Sequence, residues 1–529
     1  MTTVSTTYAP ASLDEKHHAV FHHELVIGQA PEYTYNQPFI HSSPVETIRP
    51  PQPRTTQSAL LLKAARERYT LVTDHTIPST RTKDEILVKI LAIGLNPIDW
   101  KGPAFNFGIP SLPWVNGRDL AGIVVEADES ARVKQGDLVL VPSTDYRDIR
   151  KAAFQEYAVA THFNAARIPS TGCVHASASL GVAFVASVLA LGVSLGLDFS
   201  QALSSPGPNL VELVYQINRE EVPLDIHEEC FKSSGKAEQP QKGDWIAIWG
   251  ASTTTGYITL QLARMAGLKV ICVADIARHG AKLIELGADA LVDRHDSQRA
   301  VEIIRGISKG KLRYAIDIVG KDTATILQQA LDESPRDDGS HTHLLGLTGL
   351  PKEKGENITH HTVPIKLFHS SPAVGEAMVS WLEQLLDSGS LQLPEIVRAE
   401  GGLAGINDSL EILRQGTASG KRIVVDLGTQ ERHGAGLALR GPMSKSFPKR
   451  VQENIEFIMY VAMSDNHKKT HSGCIDELEY PNGVTIAGVS RAINLGAHAF
   501  SLADSSCARR GIDSTLLLVQ LVLPVETCR

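Results

Sequence analysis

Cysteine is scarce in this sequence and is spread thinly along it. The 529 residues contain six cysteines, and no two of them stand in a Cys-x-x-Cys spacing. This distribution argues against a disulfide framework and leaves no ligand set for a tetrahedral cysteine-bound zinc ion. The six positions are Cys173, Cys230, Cys272, Cys474, Cys507 and Cys528.

Positive charge is also in deficit. The formal net charge is −8 and the isoelectric point is near 6.2. Nucleic acids and anionic membranes attract basic proteins, so we expect neither as a main partner. Hydrophobic residues make up 43% and charged residues 21% of the chain, an ordinary composition for a protein with a packed core. A chain of this length is expected to hold about two to four domains.

The sequence has no targeting segment of a usual kind. Residues 1–20 lack a continuous apolar run and the first arginine is Arg49, so neither a secretory signal nor a mitochondrial presequence is indicated, and we expect a cytoplasmic protein. The uncharged segment from Ala176 to Leu197 is long enough to cross a bilayer, but serines and glycines interrupt it and basic flanks are missing. We predict a buried helix at a domain junction there, with a membrane span as the lesser alternative.

The first part of the sequence predicts strands. Residues 1–56 are rich in Thr, Pro, His and Ser and favour a flexible N-terminal arm. From residue 57 onward, short apolar runs alternate with turns such as Asn116-Gly117, which predicts a small β-rich domain. The predicted strands are Ile86 to Ile93, Ala121 to Glu126, Asp137 to Val141 and Phe154 to Ala160.

After an irregular stretch, residues 198–243, strands alternate with helices. The alternation predicts a parallel sheet with helices on both faces. The predicted strands are Trp245 to Trp249, Val270 to Val273, Ala290 to Val292, Tyr314 to Val319 and His343 to Leu347, and the helices lie around Ala281 to Leu286, Val301 to Ile307 and Thr323 to Leu331. Further on, the pattern predicts a helix around Val374 to Leu386 and a strand from Arg422 to Leu427.

A glycine-bearing turn joins the first of these strands to a helix. Gly250 permits a tight turn, the hydroxyl residues after it offer donors to a pyrophosphate, and Gly256 lets the helix pack closely. The middle position is Thr253 instead of glycine, and a plain strand–helix turn is the alternative. Asp275 lies about 20 residues further on, at the end of the next strand, where an acid can bind a ribose hydroxyl.

These features together predict a dinucleotide site. The ends of two later strands, at Val319-Gly320 and at Gly346, lie on the side of the sheet where ligands bind in doubly wound folds. The candidate cofactor-binding residues are Gly250, Ser252, Thr253, Thr254, Thr255, Gly256, Asp275, Arg278, His279, Val319, Gly320, Gly346, Leu347 and Thr348.

The order of several short motifs resembles the medium-chain dehydrogenase/reductase superfamily over residues 57–428. The motifs are Gly94 to Lys101, Gly117 to Gly122, Val133 to Asp137, Phe154 to Tyr157 and Ser419 to Val425. The resemblance implies an α/β fold in which a GroES-like β-rich barrel domain is joined to a Rossmann domain with a doubly wound parallel sheet. It implies a first barrel part at 57–180, a Rossmann NAD(P)-binding domain at 181–355 with an insert at 198–243, and a return to the barrel at 356–428. Residues 429–529 form a C-terminal extension for which the pattern predicts no structure.

Departures from the superfamily's zinc enzymes are equally informative. Zinc alcohol dehydrogenases carry cysteine where Asn96 and Pro97 stand and His-Glu where Arg118 and Asp119 stand, and their four-cysteine lobe is missing here. The chain therefore is most similar to the quinone oxidoreductase and enoyl reductase branch, which works without metal. The segments Ala274 to Gly280 and Val363 to His369 resemble dehydrogenases of fungal secondary metabolism.

The resemblance implies an NAD(P)H-dependent oxidoreductase that delivers hydride to an activated C=C bond (enone or enoyl) or to a quinone. Lys101 is the first candidate for orienting or protonating the substrate, and a solvated loop lysine is the alternative. Asn96 and Asp99 are candidates for shaping the nicotinamide end, or they cap turns. Tyr157 is a candidate proton donor, with core packing as the alternative. No metal is expected.

The sequence leaves alternatives for the reaction, the partners and the cofactor. Oxidation of a small alcohol, or a non-catalytic NADPH-binding sensor or scaffold, would fit the same fold. The partner is a small-molecule unsaturated carbonyl or quinone, and a polyketide synthase is a further candidate partner; the chain is a monomer or a homodimer. NADP(H) is favoured over NAD(H), because Arg278 or His279 can pair with a 2′-phosphate although the Asp275 carboxylate would repel it.

Overall fold

The computed structural model describes residues 55–202, 205–231 and 235–428, together with two strands at 477–479 and 485–487. The predicted N-terminal arm, apart from its last two residues, and most of the predicted extension lie outside these ranges. Within the described residues, no helix combines the length and apolar character that crossing a membrane requires.

The first part of the chain forms short antiparallel strands around an aliphatic core. These are β1 Thr56–Leu62, β2 Thr70–Thr76, β3 Glu85–Gly94, β4 Trp114–Val115, β5 Asp119–Glu126, β6 Leu138–Pro142, β7 Tyr157–Thr161 and β8 Ala166–Arg167, with helix α1 at Pro97–Phe105. Strand β3 pairs with both β5 and β7. Alternate residues of β3, Ile86, Val88 and Ile90, are buried at 2% exposure or less, as the two-residue repeat of a strand requires. The predicted β-rich domain is confirmed.

The uncharged segment folds as a short, partly buried helix and a longer buried one instead of a single helix. These are α2 Val174–Ser177 and α3 Gly181–Leu189, and a π turn at Ala190–Ser194 extends α3. Both α3 and the π turn are almost wholly buried, so the segment serves the interior of the protein. The stretch 198–243, which the sequence pattern left irregular, contains two further helices, α4 Leu210–Gln216 and α5 His227–Phe231.

A parallel sheet follows, with helices between its strands. The elements are β9 Trp245–Trp249, α6 Thr254–Met265, β10 Lys269–Ala274, α7 Ile276–Glu285, β11 Ala290–Asp293, α8 Ser297–Ser308, β12 Tyr314–Asp317, α9 Lys321–Gln328, β13 Thr342–Gly346 and β14 Ile358–His361. The order β14-β13-β12-β9-β10-β11 is that of a doubly wound sheet. Because β14 belongs to this sheet, the predicted boundary of the Rossmann domain at residue 355 is too early.

The chain then returns to the barrel. This part contains α10 Leu367–Ser370, α11 Pro372–Asp387, β15 Ile396–Ala399, α12 Ile406–Arg414 and β16 Arg422–Asp426. Strand β16 pairs antiparallel with β3, so residues at positions 94 and 424 are neighbours. The described part of the extension forms a hairpin of β17 Glu477–Glu479 and β18 Thr485–Ala487, and β18 lies parallel to β11 at the sheet edge.

Candidate functional site

A cleft of about 760 Å³ lies at the carboxyl ends of the Rossmann strands. Its volume is in the range of cofactor and substrate sites. The Rossmann side contributes the segments 252–255 and 346–350, the barrel side contributes residues of α1 and of the segment 418–422, and α3 forms part of the floor. The carboxyl end of a parallel sheet is where doubly wound folds bind ligands.

The turn between β9 and α6 could hold an anion, and we call its residues 250–256 the cradle. Gly250 has φ +88, and Thr253 caps the helix, because its Oγ1 accepts a hydrogen bond of 3.0 Å from Gly256 N–H. A Cβ atom at Gly256 would lie 2.5 Å from the carbonyl oxygens of Gly250 and Ala251, so the position requires glycine. The open N-terminus of a 12-residue helix then points its amide groups and its dipole into the cleft.

The ends of β12 and β13 form the adjoining wall. Asp317 is fully buried, and its Oδ1 accepts hydrogen bonds from Val319 N–H and Gly320 N–H. Burial raises the pKa of the Asp317 carboxyl. Of the predicted residues, Gly346, Leu347 and Thr348 line the cleft. Val319 and Gly320 are not among its lining residues; Ile318 takes that position, and the Val319 side chain is half exposed.

The predicted phosphate-reading residues differ in exposure. Asp275 caps α7, with its Oδ1 accepting from Arg278 N–H at 3.3 Å. The Arg278 side chain is exposed, as is that of Arg294 at the end of β11. His279 is buried, and its Nε2 lies 3.0 Å from Ser419 Oγ. Burial, with Arg278 and Arg294 nearby, lowers the pKa of His279, although Asp275 opposes this.

That hydrogen bond joins α7 to the covering loop, which we define as residues 415–421 between α12 and β16. Gly420 has φ +77, and a Cβ atom there would lie 2.7 Å from His279 Cε1 and 3.4 Å from the Tyr257 hydroxyl. The loop therefore crosses directly over the first turns of α6 and α7. The structure gives His279 the role of holding this loop, so it does not present its ring on the surface as the phosphate-reading prediction requires.

A buried polar network forms the barrel end of the cleft. Arg422 donates hydrogen bonds of 2.6 Å to both Asp119 Oδ2 and Asn96 Oδ1, and Asn96 Nδ2 donates to Asp119 at 2.9 Å. The second oxygen of Asp119 accepts from Val182 N–H in the first turn of α3 at 2.7 Å. Asp119 is fully buried and Arg422 is 6% exposed by side chain. Burial raises the pKa of Asp119, and the Arg422 guanidinium opposes that shift.

Comparison with known families decides the class of this fold. The family model for the alcohol dehydrogenase GroES-like domain matches residues 82–176, and the one for zinc-binding dehydrogenase matches residues 254–350. The two matches fall on the barrel and on the Rossmann sheet, in the order that the sequence motifs predict. The two matches support the predicted assignment to the medium-chain dehydrogenase/reductase superfamily. The chain is an enzyme of the NAD(P)-dependent oxidoreductase class.

Several proteins that are similar over most of their length are trans-enoyl reductases. Trans-enoyl reductase resD of Aspergillus sclerotiorum is 28% identical over 390 residues, which are 69% of this chain and 98% of the relative. A trans-enoyl reductase of Gibberella fujikuroi is 28% identical over 380 residues, 68% of this chain and 94% of the relative. The match therefore spans nearly the whole length of these enzymes.

Solved structures share the fold. Escherichia coli quinone oxidoreductase, crystallised with NADPH, is 17% identical, has a TM-score of 0.52 and covers 70% of this chain and 99% of its own. An alcohol dehydrogenase superfamily protein from Novosphingobium aromaticivorans is 17% identical, has a TM-score of 0.52 and covers 70% of this chain and 100% of its own. The predicted two-domain architecture is confirmed.

The second family model is named for zinc binding, but the residues of this chain do not fit a zinc site. Asn96, Arg118 and Asp119 stand where zinc enzymes carry ligands. Arg422 already donates hydrogen bonds to Asn96 and Asp119, and Arg118 is itself a cation. Among the described residues, no group of three or more His, Cys, Asp or Glu side chains is arranged to hold a metal ion. A guanidinium and an engaged carboxylate offer no soft donor to Zn²⁺.

The predicted catalytic residues separate into two groups. Asn96 and Lys101 line the cleft. Asp99 is buried below it and caps α1, where its Oδ2 accepts from Asn96 N–H at 2.7 Å; burial raises the pKa of Asp99 to about 7. Tyr157 lies in β7, opposite Lys89 of β3, is 7% exposed and is not among the cleft residues. Tyr157 therefore packs in the core, which was the alternative to its role as a proton donor.

The sequence pattern missed one cleft residue with a reactive group. Tyr146 follows β6 in a loop and lines the cleft. The Arg118 guanidinium carbon lies 3.8 Å from the centre of its ring. Burial raises the pKa of Tyr146, so the phenol keeps its proton at neutral pH. A Tyr in an irregular loop has no periodicity that would point to it, and only the fold brings it to the cleft.

Proposed function

We propose that this chain reduces the C=C bond of an enoyl thioester or enone with NADPH and without a metal ion. One observation carries the proposal: a single cleft joins the anion cradle of α6 to a wall that holds Asn96, Lys101 and Tyr146. The names of the trans-enoyl reductase relatives support the same reaction class. A cleft of this kind needs to hold the acceptor carbon near the nicotinamide and to polarise the carbonyl.

The cradle residues would hold the dinucleotide. Ser252 to Thr255 line the cleft, and their amide groups would bind the pyrophosphate. The covering loop lines the cleft on the barrel side. When bound, the nicotinamide supplies the hydride for the β-carbon of the substrate. The protein supplies position, exclusion of water and hydrogen bonds.

Lys101 is proposed to protonate the α-carbon or to orient the substrate. It stands on α1 in the cleft lining. Among the described residues its only recorded neighbour is the Trp100 ring, 5.8 Å away, so no carboxylate holds the ammonium away from the cleft. We expect Lys101→Met to lower kcat by about 10²-fold or more, the scale of a lost proton donor, while NADPH affinity stays unchanged.

NADPH is the proposed cofactor because two exposed arginines, Arg278 and Arg294, lie with Asp275 around His279, beyond the end of β10, where a 2′-phosphate would bind. Arg278→Ala should lose on the order of tenfold in kcat/KM for NADPH and little for NADH, the scale of one charge-assisted pair. Arg305→Ala, which removes an exposed arginine from the last turn of α8, is the matched control. Equal losses for both cofactors would mean that Arg278 does not read the phosphate, and a wild-type preference for NADH would reverse the proposal.

The deciding experiment is a screen of NADPH oxidation with purified protein against crotonyl-CoA, an enone and a benzoquinone. Alcohols with NADP⁺ test the reverse reaction in the same assay. Turnover of crotonyl-CoA or the enone supports the proposal. If only the quinone or only the alcohol is turned over, the substrate is of that class and the proposed enoyl or enone substrate is wrong. Tight NADPH binding with no turnover of any acceptor favours a sensor or scaffold. A polyketide synthase as the carrier of the substrate, and the monomer or homodimer state, stay predictions.

A further inference from the structure

Arg118 is unusual among the buried charges of this protein. The residue is 5% exposed, yet no ion pair or hydrogen bond of its side chain is found within the described ranges. The Tyr146 ring covers one face of the guanidinium, and the buried Asp99 carboxyl is close enough for Arg118 to act on its pKa, although the two form no direct ion pair. A buried guanidinium without a direct ion pair costs free energy unless something else uses its charge, which points to a ligand that gains negative charge beside it.

Tyr146 lies between this cation and the open cleft. Its ring stacks on Arg118 at 3.8 Å and its side chain lines the cleft. Its hydroxyl makes no hydrogen bond to another described residue, whereas Tyr69, which lies in the same region, donates to the Asp99 carbonyl oxygen and accepts from Asn116. The phenol of Tyr146 is therefore a donor that the fold leaves available to a ligand.

The surroundings favour a neutral acceptor that gains negative charge. The carboxyl groups of Asp99 and Asp119 lie close enough to Tyr146 to raise the pKa of its phenol. They would also repel a ligand that already carries a negative charge. Arg118 acts in the opposite sense on the same phenol. A carbonyl oxygen meets these conditions, because it enters neutral and takes up charge only as the reaction proceeds.

From this geometry we infer that Tyr146, backed by Arg118, is the hydrogen-bond donor that binds the carbonyl oxygen of the substrate and stabilises the enolate. This inference rests on the proposed function. Hydride adds to the β-carbon, and the electron pair of the C=C bond shifts so that the carbonyl oxygen becomes an enolate oxygen. Protonation of the α-carbon then restores the carbonyl. Tyr146 keeps its proton throughout, and the carbon proton comes from Lys101 or water.

The first test is Tyr146→Phe, which keeps the ring on Arg118 and removes only the hydroxyl. We expect kcat with crotonyl-CoA to fall by about 10²- to 10³-fold, the effect of removing one preorganised donor to a developing oxyanion. The dissociation constant for NADPH and the thermal midpoint should stay at their wild-type values, which a merely structural role would not predict. Tyr215→Phe is the control, because Tyr215 is 64% exposed on α4.

A second measurement does not depend on turnover. Cinnamaldehyde bound to the NADP⁺ complex should show a lowered carbonyl stretching frequency in wild type, and the shift should shrink in Tyr146→Phe and in Arg118→Met. A wild-type enzyme that reduces crotonyl-CoA together with a Tyr146→Phe variant of equal kcat and equal carbonyl shift would overturn the inference and leave the proposed function intact. A wild-type enzyme that reduces no enoyl or enone acceptor would remove both.

Discussion

Replacement of Arg422 by methionine tests the polar network at the barrel end of the cleft. Methionine keeps much of the side-chain volume and removes the charge, which leaves Asp119 fully buried with no cation. Removing one partner of a buried ion pair costs about 3–5 kcal/mol. Under the scaling for large domains, that is a loss of roughly 6–20 °C in Tm. The measurement is thermal denaturation of the cofactor-free protein, because Arg422 also lines the cleft.

The double variant Asp119→Asn/Arg422→Met gives the refutation. Asparagine keeps an acceptor for Val182 N–H and carries no charge, so we expect the double variant to recover a large part of the loss. Arg414→Met is the control, because Arg414 pairs with Glu411 on the surface with both side chains exposed, and exposed pairs contribute little. If Arg422→Met changes Tm no more than Arg414→Met does, or if the double variant is as unstable as the sum of the single ones, the network does not stabilise the fold as argued.

Three further predictions follow from other features. Burial lowers the pKa of His343 to about 3 from an ordinary 6.5, so the unfolded chain binds a proton first and stability falls as pH drops from 6.5 towards 3. The slope from this residue is about 1.4 kcal/mol per pH unit. Across that window the pH slope of the free energy of unfolding, measured with urea, should be steeper in wild type than in His343→Phe by about this amount; equal slopes would contradict it. Because the donor set does not fit zinc, elemental analysis should find no stoichiometric zinc and a chelator should leave turnover unchanged; about one zinc per chain would contradict the assignment. A chain that ends at Gly428 should bind NADPH as the full chain does, measured by fluorescence titration, since among the described residues none beyond Arg422 lines the cleft; aggregation or lost affinity would show that the extension belongs to the fold.

The Rossmann strands could be predicted closely because their physics is local. A strand buried on both faces has to be a short continuous apolar run, and Trp245–Trp249 is one from end to end, with glycine directly after it. The barrel strand β2 was missed for the opposite reason. Most of β2 is exposed or half exposed, so its residues carry no alternation that a sequence pattern can detect.

The site could be predicted in part. The cradle residues and Lys101 were found because a turn motif and a superfamily resemblance mark them, and both lie in the cleft. Tyr146 and the hydrogen bond between His279 and Ser419 could not be predicted from the sequence. The hydrogen bond joins residues 140 positions apart. Contacts of that kind depend on how two domains pack, and packing has no signature in either segment alone.

The covering loop has a consequence for how the enzyme is made. The six strands β9 to β14 of the parallel sheet are complete once the ribosome has delivered His361, and the cradle can take shape then. The covering loop and β16 are synthesised some fifty residues later, flanking the cleft from the other domain. Domains fold in the order of synthesis, so a nascent chain passes through a stage in which the cradle exists with one wall missing. Full cofactor affinity is thus acquired late, and NADPH binding by stalled chains should rise abruptly once Arg422 has emerged.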